Sequence, residues 1–216
     1  MNKLLKKASD PISFETHFIA VGISLLGLIV LLFNGMRHEV SSYILSACIL
    51  FDLSLIALYS ASSIYHYFNK YKKLGVILRK IDHSMIYVLI VGTYTPVVMY
   101  CMDAPRSYYF LGVMWTVALI GILLKVLWID APRFVSTFLY LVLGWSLIFD
   151  FSSFQAIPMN CLTLIALGGI SYTVGAIIYI IKKPNISTHF GFHELFHIFV
   201  MLGSFLHYIA IILLVF

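Results

Sequence analysis

Seven long apolar stretches, separated by short polar connections, follow one another along the whole chain. Each is close to the roughly 20 residues that an α-helix needs to cross about 30 Å of hydrocarbon. The strict polar–apolar alternation of membrane β-strands is not seen, and every backbone polar group in lipid needs an internal partner, so the pattern predicts helices. The predicted spans cover about residues 17–33, 42–67, 82–101, 108–127, 134–149, 161–181 and 193–216.

Composition supports the same fold class. Hydrophobic residues make up 62% of the 216 residues and charged residues only 11%, whereas soluble domains average roughly 25% charged residues. A soluble chain of this length would have too few polar groups to cover its apolar surface. No connection is long enough to form a soluble domain. We therefore expect an all-α integral membrane protein in which residues 1–216 form a single domain of seven transmembrane helices.

Basic residues are concentrated at alternate ends of these spans, which predicts an orientation. Arg37 and Arg106 lie on one side, and the other basic residues lie on the opposite side: Lys3, Lys6, Lys7, Lys70, Lys72, Lys73, Arg79, Lys80, Lys125, Arg133, Lys182 and Lys183. The positive-inside rule then places the N-terminus in the cytoplasm and, after seven crossings, the C-terminus outside the cell membrane. The basic loop from Lys70 to Lys80 is interpreted as a topology signal, with anionic lipid headgroups as a second interpretation. No nucleic-acid partner is expected.

Several ionisable residues lie at one level of the predicted bundle. His17 begins the first span, His66 ends the second, Asp82 begins the third, and His193 and His197 begin the seventh. With the predicted orientation, all of these positions lie near the cytoplasmic face. Ionisable groups inside membrane spans are costly and are functional candidates by default. Their convergence is the strongest functional signal in the sequence.

The histidine spacing predicts a metal site. His193 and His197 are four residues apart, so they share a helix face with Cβ atoms roughly 6 Å apart, and His66 is available as a third ligand. Three histidines with an open fourth position are typical of catalytic zinc, although imidazoles also bind other transition metals. Ser62 lies one turn before His66. Asp82 is a candidate to hold or deprotonate the water on the metal, or to orient a ligand histidine.

Two other interpretations of these residues remain open. The segment from His193 to His197 also matches H-E-x-x-H, in which a glutamate, here Glu194, is the general base of a zinc protease. Intramembrane proteases usually take a third ligand from an Asp-Gly pair, and the sequence contains none. Glu194 can instead stabilise a helix N-terminus through the macrodipole. The histidines, His17 included, could also be interfacial residues whose polar tips reach water.

Asp52 and His207 are predicted at mid-depth. Asp52 precedes His66 by fourteen residues and His207 follows His193 by fourteen, which is about 21 Å of helix and nearly the same helix face. If His66 and His193 meet at one metal, these two side chains should approach each other. We therefore predict a buried Asp52–His207 hydrogen bond or water-bridged pair, acting as structural glue.

Several of these motifs together resemble a known family. Ser62-x-x-x-His66, Asp82 at the start of the next span and His193-x-x-x-His197 resemble the signature of the haemolysin III family, in the progestin and adipoQ receptor (PAQR) group. The segment 10–19 also resembles the start of bacterial members, and the likeness covers essentially the whole chain. The resemblance implies a zinc ion held by the three histidines, with Asp82 and Ser62 beside the water on it, and a cavity facing the cytoplasm. By analogy with adiponectin receptors and alkaline ceramidases, it implies hydrolysis of a lipid amide.

The function that the sequence favours is therefore zinc-dependent hydrolysis of a lipid amide or ester, with Asp82 and Ser62 as catalytic residues and His66, His193 and His197 as metal ligands. Membrane lipid is the expected substrate or ligand. The alternative from another class is a non-enzymatic protein, either a lipid-sensing regulator with structural zinc or a membrane-lysing protein. A wide pore would need a continuous polar stripe, which these spans lack. The zinc protease is a second alternative.

Overall fold

The protein is a bundle of seven α-helices. The structure is a computed structural model that describes residues 7–155, 157–187 and 190–216. The helices are α1 (Pro11–Arg37), α2 (Ser42–Phe68), α3 (Lys72–Cys101), α4 (Arg106–Leu127), α5 (Arg133–Gly144), α6 (Met159–Ile181) and α7 (Phe192–Val215), with a 3-10 helix (Ser146–Phe154) after α5. The described residues contain no β-strand.

All seven helical segments are long and apolar enough to cross a membrane, the fifth as the continuous stretch Arg133–Asp150. The predicted fold class, an all-α integral membrane protein with seven spans, is thereby confirmed. The orientation of the termini stays a prediction, and two of the residues on which it depends, Lys3 and Lys6, lie outside the described residues.

Lipid-facing and inward-facing surfaces have opposite character. Large apolar side chains such as Leu26, Ile29 and Leu123 point outward and are exposed, while several serines, histidines and aspartates are buried inside the bundle. This is the arrangement expected when hydrocarbon is the solvent, because apolar surface needs no burial there and polar groups do.

The helices pack in an order that places α1 between α2 and α7. α2 also packs along α3, α3 along α4, and α6 along α7. The α2–α3 contact is close at Gly92, where an added Cβ would lie 2.4 Å from the Ser54 hydroxyl oxygen. On the other side, a Cβ at Gly175 of α6 would lie 3.0 Å from Cβ of Phe199 on α7. Small residues at such positions let membrane helices approach. The α1–α2, α2–α3 and α1–α7 contacts bring α1, α2, α3 and α7 together.

The fifth span is irregular. α5 has 12 residues and the 3-10 helix that follows has 9, with Asp150 outside helical geometry at φ −139° and ψ 45°. The Asp150 carboxylate accepts hydrogen bonds from Ser152 and Ser153 at 3.2 and 3.1 Å and forms an ion pair with Arg106 at 2.5 Å. These contacts tie the end of the fifth span to the start of α4.

Candidate metal centre

Three histidines from two helices meet at one end of the bundle. His66 lies near the end of α2, and His193 and His197 lie in the first two turns of α7. One ring nitrogen of each lies within 4.8 Å of the others, and Nε2 of His66 lies 3.2 Å from Nε2 of His193. His66 and His197 are buried and His193 is partly buried. This group could hold a metal ion.

The donor geometry fits a tetrahedral transition-metal ion. Metal–nitrogen bonds of about 2.0–2.1 Å at tetrahedral angles place two ligand nitrogens about 3.3 Å apart, close to the 3.2 Å between His66 and His193. Three imidazoles that face one another in a buried place would otherwise leave ring lone pairs without a partner. The residues present therefore suit a divalent cation that prefers nitrogen ligands.

Asp10, just before α1, orients His66. Its carboxylate lies 3.0 Å from Nδ1 of His66, and the side-chain amide of Asn69 donates to the same carboxylate. The backbone N–H of Asp10 also donates to the carbonyl of His66 at 3.0 Å. A proton on Nδ1 of His66 leaves Nε2 with its lone pair directed at the other histidines. The hydrogen bond with His66 is also the main reason that the pKa of Asp10 lies below its usual value.

Asp10→Ala is expected to weaken metal binding by roughly 10- to 100-fold, because it removes the group that orients a ligand histidine. Competition with a chelator of known affinity measures the change. Asp103→Ala, at an exposed position beyond α3, is the matched control and should leave the affinity unchanged. Equal affinities for Asp10→Ala and the wild type would show that Asp10 does not position His66.

His17 of α1 packs against the ligand His197. Their rings stack with centroids 3.7 Å apart and planes 5° apart, and the ring of Tyr59 meets that of His17 edge-on, with centroids 5.0 Å apart. His17 is only 3% exposed, and neither ring nitrogen has a hydrogen-bond partner among the described residues. The interfacial interpretation of His17 is therefore wrong. This residue lies beside the histidine cluster, inside the bundle.

Ser62 and Asp82 lie next to the histidines. Both side chains are buried, and the Ser62 hydroxyl faces the Asp82 carboxylate across the α2–α3 contact. Nε2 of His83 lies 4.0 Å from Oδ2 of Asp82. His83 is not among the residues predicted from the sequence, although its position next to Asp82 on a membrane span is a signal. The structure thus brings together the five predicted site residues and His17, and adds Asp10 and His83.

The cluster opens into an internal cavity of about 500 Å³. Ser62, Asp82, His193 and His197 line one part of it, and Arg79, Lys125 and Arg133 line another. Much of the remaining lining is apolar and aromatic: Ile86, Leu89, Ile90, Tyr94, Leu141, Trp145 and Tyr172. Its volume is within the range of about 300–1,000 Å³ for small-molecule pockets. A molecule with an apolar chain and a polar group could therefore place the polar group beside Asp82.

Glu194 is directed away from this cavity. One carboxylate oxygen accepts a hydrogen bond from the Ser13 hydroxyl at 2.8 Å, and the other accepts one from the Gly191 N–H at 2.9 Å. The second bond satisfies a backbone donor at the start of α7. This geometry favours the role of a helix N-terminal carboxylate over that of a general base.

The predicted direct hydrogen bond between Asp52 and His207 is wrong, whereas the water-bridged pair stays a prediction. Nδ1 of His207 is 2.8 Å from the carbonyl oxygen of Gly203 in its own helix, and its ring stacks on Tyr172 of α6. Both carboxylate oxygens of Asp52 lack a partner among the described residues, and one lies close to Gly27 of α1. The reason is that α7 packs mainly on α6, whereas α2 packs on α1 and α3. The two helices are still in contact at mid-depth, where the Tyr59 hydroxyl donates to Ser204 at 2.7 Å. His207, however, faces α6, and it is the next residue of α7, Tyr208, that lies close to Asp52 beside Gly27.

Comparison with known proteins gives the chain's relationships. A family model described as Haemolysin-III related matches residues 6–208. The chain belongs to this family. A hemolysin-3 homolog of Bacillus subtilis (strain 168) is 37% identical over 190 residues, which cover 88% of this chain and 86% of that protein. Hemolysin-3 of Bacillus cereus is 32% identical over 192 residues, or 88% and 84% of the two chains. The resemblance to haemolysin III drawn from the sequence motifs is confirmed, and the match includes all three histidines of the cluster.

Proposed function

We propose that this haemolysin III protein is a zinc-dependent hydrolase that cleaves an amide or ester bond of a membrane lipid at the cytoplasmic side of the cell membrane. The observation that carries the proposal is the position of the three histidines. They lie beside Asp82 and Ser62, next to a largely apolar cavity inside a membrane-spanning bundle. A lipid needs such a space for its chain, and hydrolysis needs such polar groups at the scissile bond.

His66, His193 and His197 would hold the zinc ion, and this set leaves a fourth position for a non-protein ligand. When bound, zinc supplies Lewis-acid activation of water and of a substrate carbonyl. Asp10 keeps His66 in the tautomer that a ligand needs. His17 packs flat against His197 and holds that ring in place.

The remaining chemistry falls to Asp82 and Ser62. The Asp82 carboxylate accepts a proton from the attacking water and returns it to the leaving nitrogen or oxygen, which is general base and then general acid catalysis. The Ser62 hydroxyl, which can rotate, donates a hydrogen bond to the carbonyl oxygen as negative charge develops there. Apolar residues around the cavity, including Ile86 and Leu89, hold the lipid chain and keep bulk water out.

The direct test is release of fatty acid by the purified, zinc-loaded protein. A long-chain ceramide and a matched ester lipid, each presented in mixed micelles, would show which bond is cleaved. His197→Ala, which lacks one ligand, should release none. If zinc-loaded wild-type protein releases fatty acid from neither lipid, with or without an anionic headgroup on the lipid, the hydrolase proposal is wrong.

Glu194→Gln separates this proposal from the zinc protease. Because the Glu194 carboxylate accepts from Ser13 and Gly191 rather than lining the cavity, the substitution should change fatty acid release less than about threefold. Its main effect should be a modest loss of stability, on the order of 1 kcal/mol, from the weakened start of α7. If Glu194→Gln lowers fatty acid release 100-fold or more without loss of metal, the result would favour the mechanism of the zinc proteases, in which the glutamate is the general base.

Membrane lysis is a second candidate, favoured by the names hemolysin-3 and hemolysin-3 homolog of the two relatives. Dye release from lipid vesicles tests it, with His197→Ala as the comparison. Dye release by both proteins, in the absence of fatty acid release, would support lysis without hydrolysis.

A further inference from the structure

Three cationic side chains lie together at one end of the cavity. Arg79 comes from α3, Lys125 from the last turn of α4 and Arg133 from the first turn of α5, and all three line the cavity. Asp130, in the α4–α5 connection, pairs with Arg79 at 2.7 Å and is otherwise exposed. At this end, Asp130 is therefore the one carboxylate of the described cavity lining beside three cations. Asp82 lies further along the cavity, beside Ser62.

Lys125 has no anionic partner. The residue is 5% exposed, and none of the ion pairs among the described residues includes it. Lysines near the ends of membrane helices usually extend their amine to water, whereas Lys125 faces the cavity, near Arg79 and His83. A buried cation without a counter-charge is costly. The position is stabilised when an anion enters the cavity.

Arg133 is held in place without using its hydrogen-bond donors. Its guanidinium lies over the ring of Tyr179, 4.8 Å from the centroid, and 5.6 Å from the centroid of Phe192. Stacking fixes the plane of the group and leaves the N–H groups at its edge available. No described carboxylate pairs with it. A planar guanidinium with free N–H groups suits a phosphate or carboxylate, to which it can donate two parallel hydrogen bonds.

We propose that Lys125 and Arg133, with Arg79 beside them, bind the anionic headgroup of a lipid whose acyl chain extends into the same cavity. The headgroup chemistry is a phosphate or carboxylate. The cavity is continuous from these cations, past Asp82, to apolar residues such as Ile86 and Leu141, and this continuity favours a lipid over a free anion. The inference deepens the proposed function, because it assigns the substrate to the acidic lipids.

Binding to the purified protein in a neutral maltoside detergent tests the headgroup site. The probes are dioctanoyl phosphatidic acid, dioctanoyl phosphatidylcholine and inorganic phosphate, with affinities from microscale thermophoresis. The wild type should bind phosphatidic acid roughly tenfold or more tightly than phosphatidylcholine, since charged hydrogen bonds contribute differences of this size. Lys125→Gln and Arg133→Gln should each lose most of this preference.

Matched variants make the result specific. Lys73→Gln removes an exposed cation at the start of α3, outside the cavity, and should retain the preference. Lys125→Arg keeps the charge and should retain it too, which guards against a folding defect in Lys125→Gln. Equal binding of the two lipids by the wild type, or an unchanged preference in both glutamine variants, overturns the proposal. Inorganic phosphate that binds as tightly as phosphatidic acid overturns the lipid as the source of the anion.

The same preparations separate this inference from the hydrolase. Metal content should match the wild type in Lys125→Gln and Arg133→Gln, because neither residue is in the histidine group. Wild-type protein that prefers phosphatidic acid but releases no fatty acid from any lipid would support the headgroup site and overturn the hydrolase. Protein that hydrolyses lipid with no preference for acidic headgroups would support the hydrolase and overturn the headgroup site.

Discussion

Replacing His66 with alanine is expected to reduce bound zinc from about one ion per chain to nearly none. His66 is the only donor of the histidine group that comes from α2, and the two on α7 cannot by themselves complete a stable site. Elemental analysis by mass spectrometry, on protein purified without added chelator, measures the zinc-to-protein ratio. The same measurement on the wild type identifies the ion.

His38→Ala is the matched control. His38 is exposed at the opposite end of the bundle, after α1, so its loss should leave the metal content unchanged. Size-exclusion chromatography shows whether the His66→Ala protein is still folded and monodisperse. A wild-type protein that carries no metal, or a folded His66→Ala protein that keeps a full complement, would refute the assignment of these ligands.

Asp82→Asn should lower the turnover number for lipid hydrolysis by roughly 10²- to 10⁴-fold, the range for loss of a general acid–base group. Asparagine has nearly the same shape as aspartate and can still accept a hydrogen bond from Ser62, but it cannot take up a proton. Because Asp82 is not one of the three grouped histidines, the bound zinc should stay at the wild-type level. Fatty acid release and metal content, measured on one preparation, test both parts.

The control for Asp82→Asn is Asp103→Asn, which removes an exposed carboxylate between α3 and α4. It should leave both hydrolysis and zinc unchanged. An Asp82→Asn protein with full activity would exclude Asp82 from proton transfer. Loss of zinc together with activity would instead make Asp82 a residue that supports the metal site.

The fold could be predicted because the bilayer imposes it. A stretch of apolar residues near 20 in length has few alternatives to a helix, so hydropathy was sufficient for the seven spans. The first and last residues of the helices could not be predicted as well from hydropathy. α1 begins at Pro11 and α3 at Lys72, well before their apolar stretches, because backbone hydrogen bonding continues into the polar interface, where hydropathy gives no signal.

The histidine cluster was also accessible, because the spacing of His193 and His197 on one helix and the depth of His66 on another depend only on helix geometry. The level of His17 was accessible in the same way, but its stacking on His197 and the contact of Asp10 with His66 were not, since both arise from the approach of α1 to α2 and α7, which no local pattern encodes. The same limit explains the error over Asp52 and His207. Helix geometry gives the depth of a side chain, but the neighbour that it faces depends on the packing of the whole bundle. His207 faces Tyr172 of α6, and Tyr208 is the residue of α7 that lies near Asp52.

The order of the three histidines along the chain bears on how the protein is made. His66 and His193 are 127 positions apart in the chain, and two of the three donors belong to the final helix. Synthesis proceeds from the N-terminus, so a nascent chain with six helices in the membrane has only one donor and cannot hold the ion. On the proposed assignment, the chain acquires its metal, and with it the proposed reactivity toward lipid, only when α7 is inserted. The proposal therefore implies that chains without α7 are inert toward the membrane in which they are assembled.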